Sequence, residues 1–281
     1  MSTQTVPAHF KTQFQDDIKC EYQQMGSLFR GLVRTNGAVD GEKTRFNVMG
    51  KMSAREKSRG GVIPISNPNL GYVDCVMRDT YIREHIDGLD LAKMSTDVRS
   101  GYVKNATGAF ARKTDEHIIT AMTDDATEAF GDFSLSYSEN FMLQLGEEFD
   151  EANVPRDGRR FLAVTPRGWS HMMKIPEFKS ADYVGGDLEY RKMGEKMKQW
   201  NGFNIFVSNL LRGRGTAQCT NLAWHSDSVG HGINAEVQTT WEWKGERWGW
   251  QLAGAMSMGA CVIDNDGVRI VRVDDTLVLP S

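Results

Sequence analysis

Apolar positions in the first forty residues, Phe10, Phe14, Ile18, Tyr22, Met25, Leu28 and Leu32, recur at steps of three and four before Gly37 and Gly41 end the pattern. This spacing predicts an amphipathic arm. The period then changes: Phe46 and Val48 alternate as in a short strand, a polar and basic run fills 50–61, Val62, Ile63 and Ile65 follow, and Tyr72 to Met77 reads as a further strand. A long hairpin with a charged tip is expected there. From Leu91 the helical period returns, with Met94, Val98, Tyr102, Ala106, Ala109, Phe110, Ile118, Ala121 and Met122 on one face and Ser95 or Thr96 available as a cap. Continued to about Ala129, this predicts a rod of roughly 50 Å, although Gly101 and Gly108 inside it cost about 1 kcal/mol each relative to alanine.

A second amphipathic stretch covers Phe141 to Ala152, an apolar strand runs from Phe161 to Val164, and a helix is expected to begin near Arg167. Strand patterns then follow at Phe203–Val207, Leu222–Trp224, Val229–Ile233, Val237–Trp243, Trp248–Leu252, Ala260–Ile263 and Val268–Val273. Helices in the middle and strands late, without βαβ alternation, predict an α+β chain.

At 281 residues, with 40% hydrophobic and 25% charged positions, the chain has the balance of a folded globule and not of a disordered or collagen-like polymer. One composite body or two interleaved lobes are expected. A net charge of −4 excludes the whole chain as a general binder of nucleic acid or anionic lipid. Neither a leading apolar segment nor a membrane-length run is visible, so the expected place is a cytoplasm or something assembled there, with no membrane partner. Cys20, Cys75, Cys219 and Cys261 are spaced too widely for a zinc clip and read as buried thiols.

Trp241, Trp243, Trp248 and Trp250 flank the turn Lys244-Gly245-Glu246-Arg247. In a hairpin, alternation places Trp241 with Trp243 and Trp248 with Trp250, so four indoles can form one wall: either aromatic packing within a sheet or a carbohydrate-stacking platform. His225 and His231, with Asp227 and Cys219 nearby, fit no recognised metal spacing, and Asp264-Asn265-Asp266-Gly267 reads as a tight turn, not a calcium loop. Arg212-Gly213-Arg214-Gly215 lacks the Lys-Ser or Lys-Thr of a phosphate loop and reads as a mobile surface loop. Lys51, Arg55, Lys57 and Arg59, opposed only by Glu56, concentrate positive charge at the expected hairpin tip and are candidates for docking on an acidic neighbour. No nucleophile elbow or His-Glu-x-x-His is present, and a hydrolase would need a constellation the chain does not spell out.

The order of these parts resembles the major capsid protein of tailed bacteriophages. The stretches STQTVPAHFKTQFQDDIKCEYQQMGSLFRGLVR, GAFARKTDEHIITAM, FLAVTPRGWSHMMKIPEFKSADYVGG and MSMGACVIDNDGVRIVRV are similar to the corresponding parts of capsid proteins from short-tailed phages. The resemblance implies the Hong Kong-type capsid fold, shared with encapsulins and the floor of herpesvirus shells. It implies an N-terminal arm over 1–39, an extended E-loop hairpin over 40–75, a peripheral domain with a spine helix over 76–130, an axial domain over 131–260, and strands at 261–281 returning to the peripheral domain. The implied function is structural and non-catalytic: hexamers and pentamers of the chain form an icosahedral shell around a double-stranded DNA genome, assembled in a bacterial cytoplasm, with no cofactor or metal. The implied partners are further copies of itself, a separate scaffolding protein, a portal ring, and packaged DNA touched non-specifically on the inner face. Lys51, Arg55, Lys57 and Arg59 are then subunit-interface candidates. Lys51 and Lys57 also lie in the loop from which some relatives form a lysine–asparagine crosslink, but no residue pattern names a partner. An encapsulin-like compartment is a variant of this reading, and a carbohydrate-binding β module built on the four tryptophans is the alternative to it.

Overall fold

The computed structural model describes residues 24, 26–36, 41–63, 65–93, 98–179 and 197–277. Most of the expected arm, including Phe10, Phe14, Ile18, Tyr22 and Met25, lies outside them, as does Cys20. In chain order the elements are β1 (Arg34–Asn36), β2 (Lys43–Met49), β3 (Leu70–Val76), β4 (Arg78–Asp87), α1 (Gly88–Lys93), α2 (Val98–Asp125), β5 (Ala129–Gly131) and α3 (Glu139–Glu151). They continue as β6 (Arg160–Val164), α4 (Pro166–Met172), α5 (Pro176–Lys179), β7 (Lys198–Trp200), β8 (Phe203–Val207), β9 (Cys219–His225), β10 (Val229–Lys244), β11 (Gly249–Val262) and β12 (Val268–Val273).

Strands form a six-stranded sheet in the order β5-β12-β9-β6-β8-β7, a four-stranded sheet in the order β1-β10-β11-β4, and the separate pair β2-β3. All five residues of β6 are buried because the large sheet is covered on both faces. On one face Leu162 and Val164 meet Phe141, Leu145 and Phe149 of α3. On the other, Phe161 and Ala163 meet Ile118, Ile119 and Met122 of α2, together with Trp224. Local signals start the two helices beside this sheet: the Ser138 hydroxyl accepts from the Phe141 amide at 3.2 Å to cap α3, and Thr165 accepts from the Gly168 amide at 3.1 Å ahead of α4, whose first residue is Pro166.

The other end of α2 supports the small sheet. Phe110 packs with Ile233, Met256 and Met258, and it fits only because β11 carries glycine opposite it: a Cβ at Gly254 would lie 2.7 Å from the phenyl ring. The expected single helix from Leu91 to Ala129 is corrected at its end. Of its described residues, α2 spans 28 and stops at Asp125, because Ala129–Gly131 pairs as β5 alongside β12. Residues 26–36 likewise do not continue the helical spacing of Leu28 and Leu32. They form a 3-10 turn at Arg30–Leu32 and then β1, drawn away from helix by Phe29, which is stacked on Trp224 with ring centroids 5.4 Å apart.

The four late strands expected at 229–233, 237–243, 248–252 and 260–263 are two: β10 has 16 residues and β11 has 14, paired antiparallel with register shifts near Ala235. Sheet membership also departs from the expected boundaries at 130/131 and 260/261. The 229–262 ribbon belongs with β4 and α2, whereas β12 joins β9 in the large sheet. The chain changes sheets at the 3-10 turns Ser226–Ser228 and Asn265–Gly267, which pack together. β2 and β3 pair in register from Lys43↔Val76 to Met49↔Leu70, and the base of this hairpin rests on the body through Phe46, Cys75, Met77 and Cys261.

Candidate assembly surfaces

The β2–β3 hairpin ends its ladder where the Gly50 amide donates to the Asn69 carbonyl at 2.7 Å, and 51–63 and 65–68 extend beyond it. Across the ladder, Arg45 pairs with its register partner Asp74 at 2.8 Å and lies 3.6 Å over the Tyr72 ring, and the guanidinium holds the Asp74 carboxyl below its ordinary range. Lys51, Arg55, Lys57 and Arg59 are all exposed on the projecting segment. Lys57 donates to the Gly61 carbonyl at 3.1 Å across a turn that passes through Gly60 in the left-handed region. The four are thus gathered on one loop, not pressed into one cluster.

Charge is only half of this surface. Met49, Met52, Ile63, Ile65 and Leu70 are exposed beside the cations, and Val62 is 93% exposed. Exposed apolar side chains in such number on one segment are more than an ordinary monomer exterior carries. The signal was visible as the run Val62-Ile63 and Ile65 inside a glycine-rich basic segment, but spacing alone does not say whether such a run is buried.

A second site fixes the exit of the arm. Asp115, buried in the middle of α2, accepts from the Gln24 side chain, the Ser27 hydroxyl and the amides of Leu28 and Phe29, the last two at 2.9 and 3.1 Å. The Trp224 indole donates to the Leu32 carbonyl at 3.0 Å. One carboxylate therefore ties the segment entering the body to the long helix, an arrangement no local pattern announces. Beside it lies a cleft of about 570 Å³ lined by Arg30, Thr35, Thr107, Ala111, Val237 and Met258, with no His, Cys, Asp or Glu among the described residues of its wall.

Trp241, Trp243 and Trp250 share one face of the β10–β11 ribbon, since Trp243 is directly opposite Trp250. Trp248 differs from expectation: it lies outside both strands, after the 3-10 turn Gly245–Arg247, at φ +43° in the left-handed region. Trp241 stacks on Trp250 with centroids 5.9 Å apart, and Trp243 meets Trp250 and Trp248 edge-on at 5.6 Å. The indoles spend much of their surface on one another, although Trp243 and Trp248 remain 41% and 62% exposed.

His225 and His231 do not meet. His225 is bonded to Asp157 at 3.1 Å; burial pushes the Asp157 carboxyl up, but Arg159 and His225 outweigh it and hold that carboxyl far below its ordinary range. His231 is fully buried with both ring nitrogens unpartnered, and burial pushes its pKa down to about 4. Among the described residues no three His, Cys, Asp or Glu side chains converge as a metal group. The Asp264 carboxylate accepts from the Asp266 amide at 3.0 Å inside its own turn. The loop at 212–215 is pinned, contrary to the mobile loop expected: Arg212 pairs with Asp124 at 2.7 Å and the Gly215 amide donates to Asp275 at 3.0 Å.

Comparison with solved structures places this architecture. The capsid of the cyanophage P-SCSP1u superimposes with a TM-score of 0.76 over 94% of this chain and 93% of that one, at 16% identity. A chain of Mycobacterium phage Che8 gives 0.73 over 95% and 98%, at 19% identity, and the mature capsid of bacteriophage PhiM1 gives 0.70 over 92% and 90%, at 15% identity. At such identities the likeness establishes the fold, which is the Hong Kong-type capsid fold. No curated protein sequence matches the chain. The carbohydrate-binding alternative finds no support in either the fold or the family match, so the four indoles are features of a capsid subunit. The family model described as phage capsid protein matches residues 6–275, nearly the full length, and the chain therefore belongs to the phage capsid protein family, as a major capsid protein of the tailed-phage kind.

Proposed function

We propose that this subunit tiles an icosahedral shell as hexamers and pentamers, and that its β2–β3 hairpin is the extension that bridges neighbouring copies. Its role is structural, its partner is further copies of itself, and its place is the virion capsid. In this reading 40–75 is the E-loop, α2 with the four-stranded sheet forms the peripheral domain, and the six-stranded sheet with α3 and α4 forms the axial domain. The observation that carries it is the tip of the hairpin, where exposed Val62, Ile63 and Ile65 stand among Lys51, Arg55, Lys57 and Arg59. Apolar area favours burial in a contact, and the cations select an acidic surface and disfavour approach of another tip.

Assembly in a bacterial cytoplasm, a separate scaffolding protein and a portal ring complete the proposal. A net charge of −4 suits a wall that holds packaged DNA only non-specifically. Reversing Lys51, Arg55, Lys57 and Arg59 to glutamate tests the hairpin role: shells seen by electron microscopy should be lost while the thermal midpoint of the unassembled chain stays unchanged. Normal shells from that variant would defeat the proposal.

A further inference from the structure

Cys75 and Cys261 lie where the hairpin meets the body. Both are buried and they share one apolar cluster with Phe46 and Met77. The two strands that carry them touch through their backbones: a Cβ at Gly259 of β11 would lie 2.2 Å from the Val76 carbonyl oxygen and 3.2 Å from the Cys75 sulfur. Residues 259 and 261 face the same side of the strand, so the Cys261 side chain leaves β11 on the side where Cys75 sits. Both are free thiols, each close enough to the other to perturb its ionisation.

We propose that Cys75 and Cys261 are a redox pair that a peroxide closes to an intramolecular disulfide, stapling the base of the hairpin to β11. The inference goes beyond the shell role and does not depend on it, because both thiols belong to one chain. The neighbouring Cys261 favours the Cys75 thiolate, whereas Cys261, beside that sulfur and buried, is held in its thiol form. Cys75 is therefore the sulfur that attacks. An S–O bond forms as the peroxide O–O bond breaks, and the departing hydroxide takes up the Cys75 proton as water, leaving a sulfenic acid. Cys261 sulfur then attacks that sulfur; the S–S bond forms, the S–O bond breaks, and hydroxyl and the Cys261 proton leave as a second water. Two thiols are oxidised by two electrons and one peroxide is reduced to two waters. Burial restricts the oxidant to a small molecule, and a reducing cytoplasm would keep the pair open until the protein leaves it.

The mechanical consequence concerns leverage. A long hairpin rests on the body through a small group of apolar side chains, and a covalent bond inside that group holds its base even when the packing loosens. The test uses the full-length chain, first reduced and then treated with hydrogen peroxide, with remaining thiols blocked before digestion and mass spectrometry. The expected product is a Cys75–Cys261 linked peptide lighter by two hydrogens, with a thermal midpoint several degrees above the reduced protein, reversed by dithiothreitol. Cys75→Ser and Cys261→Ser should each abolish that reversible rise. The mapping on unsubstituted protein decides the matter even if a variant folds poorly: free thiols at both positions, separate sulfinic acids, or linkage of either to Cys20 or Cys219 would overturn the proposal.

Discussion

Asp115 has its oxygens surrounded by donors from Gln24, Ser27, Leu28 and Phe29, so a single side chain on α2 decides where the arm enters the body. Asp115→Asn preserves shape but turns one acceptor into a donor facing amides that also donate. The expected loss is about 1–3 kcal/mol in urea unfolding, the usual cost of a buried polar group left without its partner, and an unchanged midpoint would show that the anchor is dispensable. His231 gives a pH dependence whose sign is fixed. Its folded pKa is pushed from 6.5 to about 4 by burial, so between those values the unfolded chain binds a proton that the folded chain rejects. The stability it contributes is complete above about pH 6.5 and falls by about 3 kcal/mol as pH drops through 4. His117 is shifted in the same direction, also by burial, so the decisive quantity is a difference. Urea midpoints measured from neutral pH to about pH 4 should fall less steeply in His231→Leu than in the unsubstituted chain, and parallel slopes would contradict the assignment.

Among the elements, the β2–β3 hairpin concentrates what the fold leaves unfinished. Val62, Ile63 and Ile65 are exposed and touch no core, so replacing all three with serine should change unfolding of the unassembled chain by no more than about 0.5 kcal/mol. The same variant should yield far fewer shells under assembly conditions, counted by electron microscopy; destabilised monomers with normal shells would reverse the reading. The hairpin strands were legible because Phe46 and Val48, and Tyr72 to Met77, alternate as a half-buried strand must, and α3 and β6 were legible for similar reasons. β4 was not, since Arg78–Asp87 is largely polar and becomes a strand by pairing along ten residues of β11. The end of α2 was misplaced because the partner of Ala129–Gly131 lies more than a hundred residues away in β12. At the candidate site the four cations could be read from charge alone. Their apolar companions and the Asp115 anchor could not, because exposure and long-range partners are properties of the folded chain.

At the scale of the molecule, α2 braces the six-stranded and four-stranded sheets of the described residues, with Ile118, Ile119 and Met122 under the large sheet and Phe110 under the small one. A load on either sheet is therefore passed to α2, which at 28 residues is about 42 Å long. The extensions leave this brace at defined points, the arm at Asp115 and the hairpin at Cys75 and Cys261. A closed shell uses one surface repeatedly, so an extension anchored at its root and apolar at its tip suits a contact that recurs around every copy. Cryo-electron microscopy of particles formed by this chain with its candidate scaffolding protein tests that claim most directly. The account predicts closed shells in which residues 50–69 lie against a neighbouring copy, with Val62, Ile63 and Ile65 covered and Lys51, Arg55, Lys57 and Arg59 facing acidic groups. Shells in which this segment folds back on its own subunit or stays uncovered in solvent would contradict it.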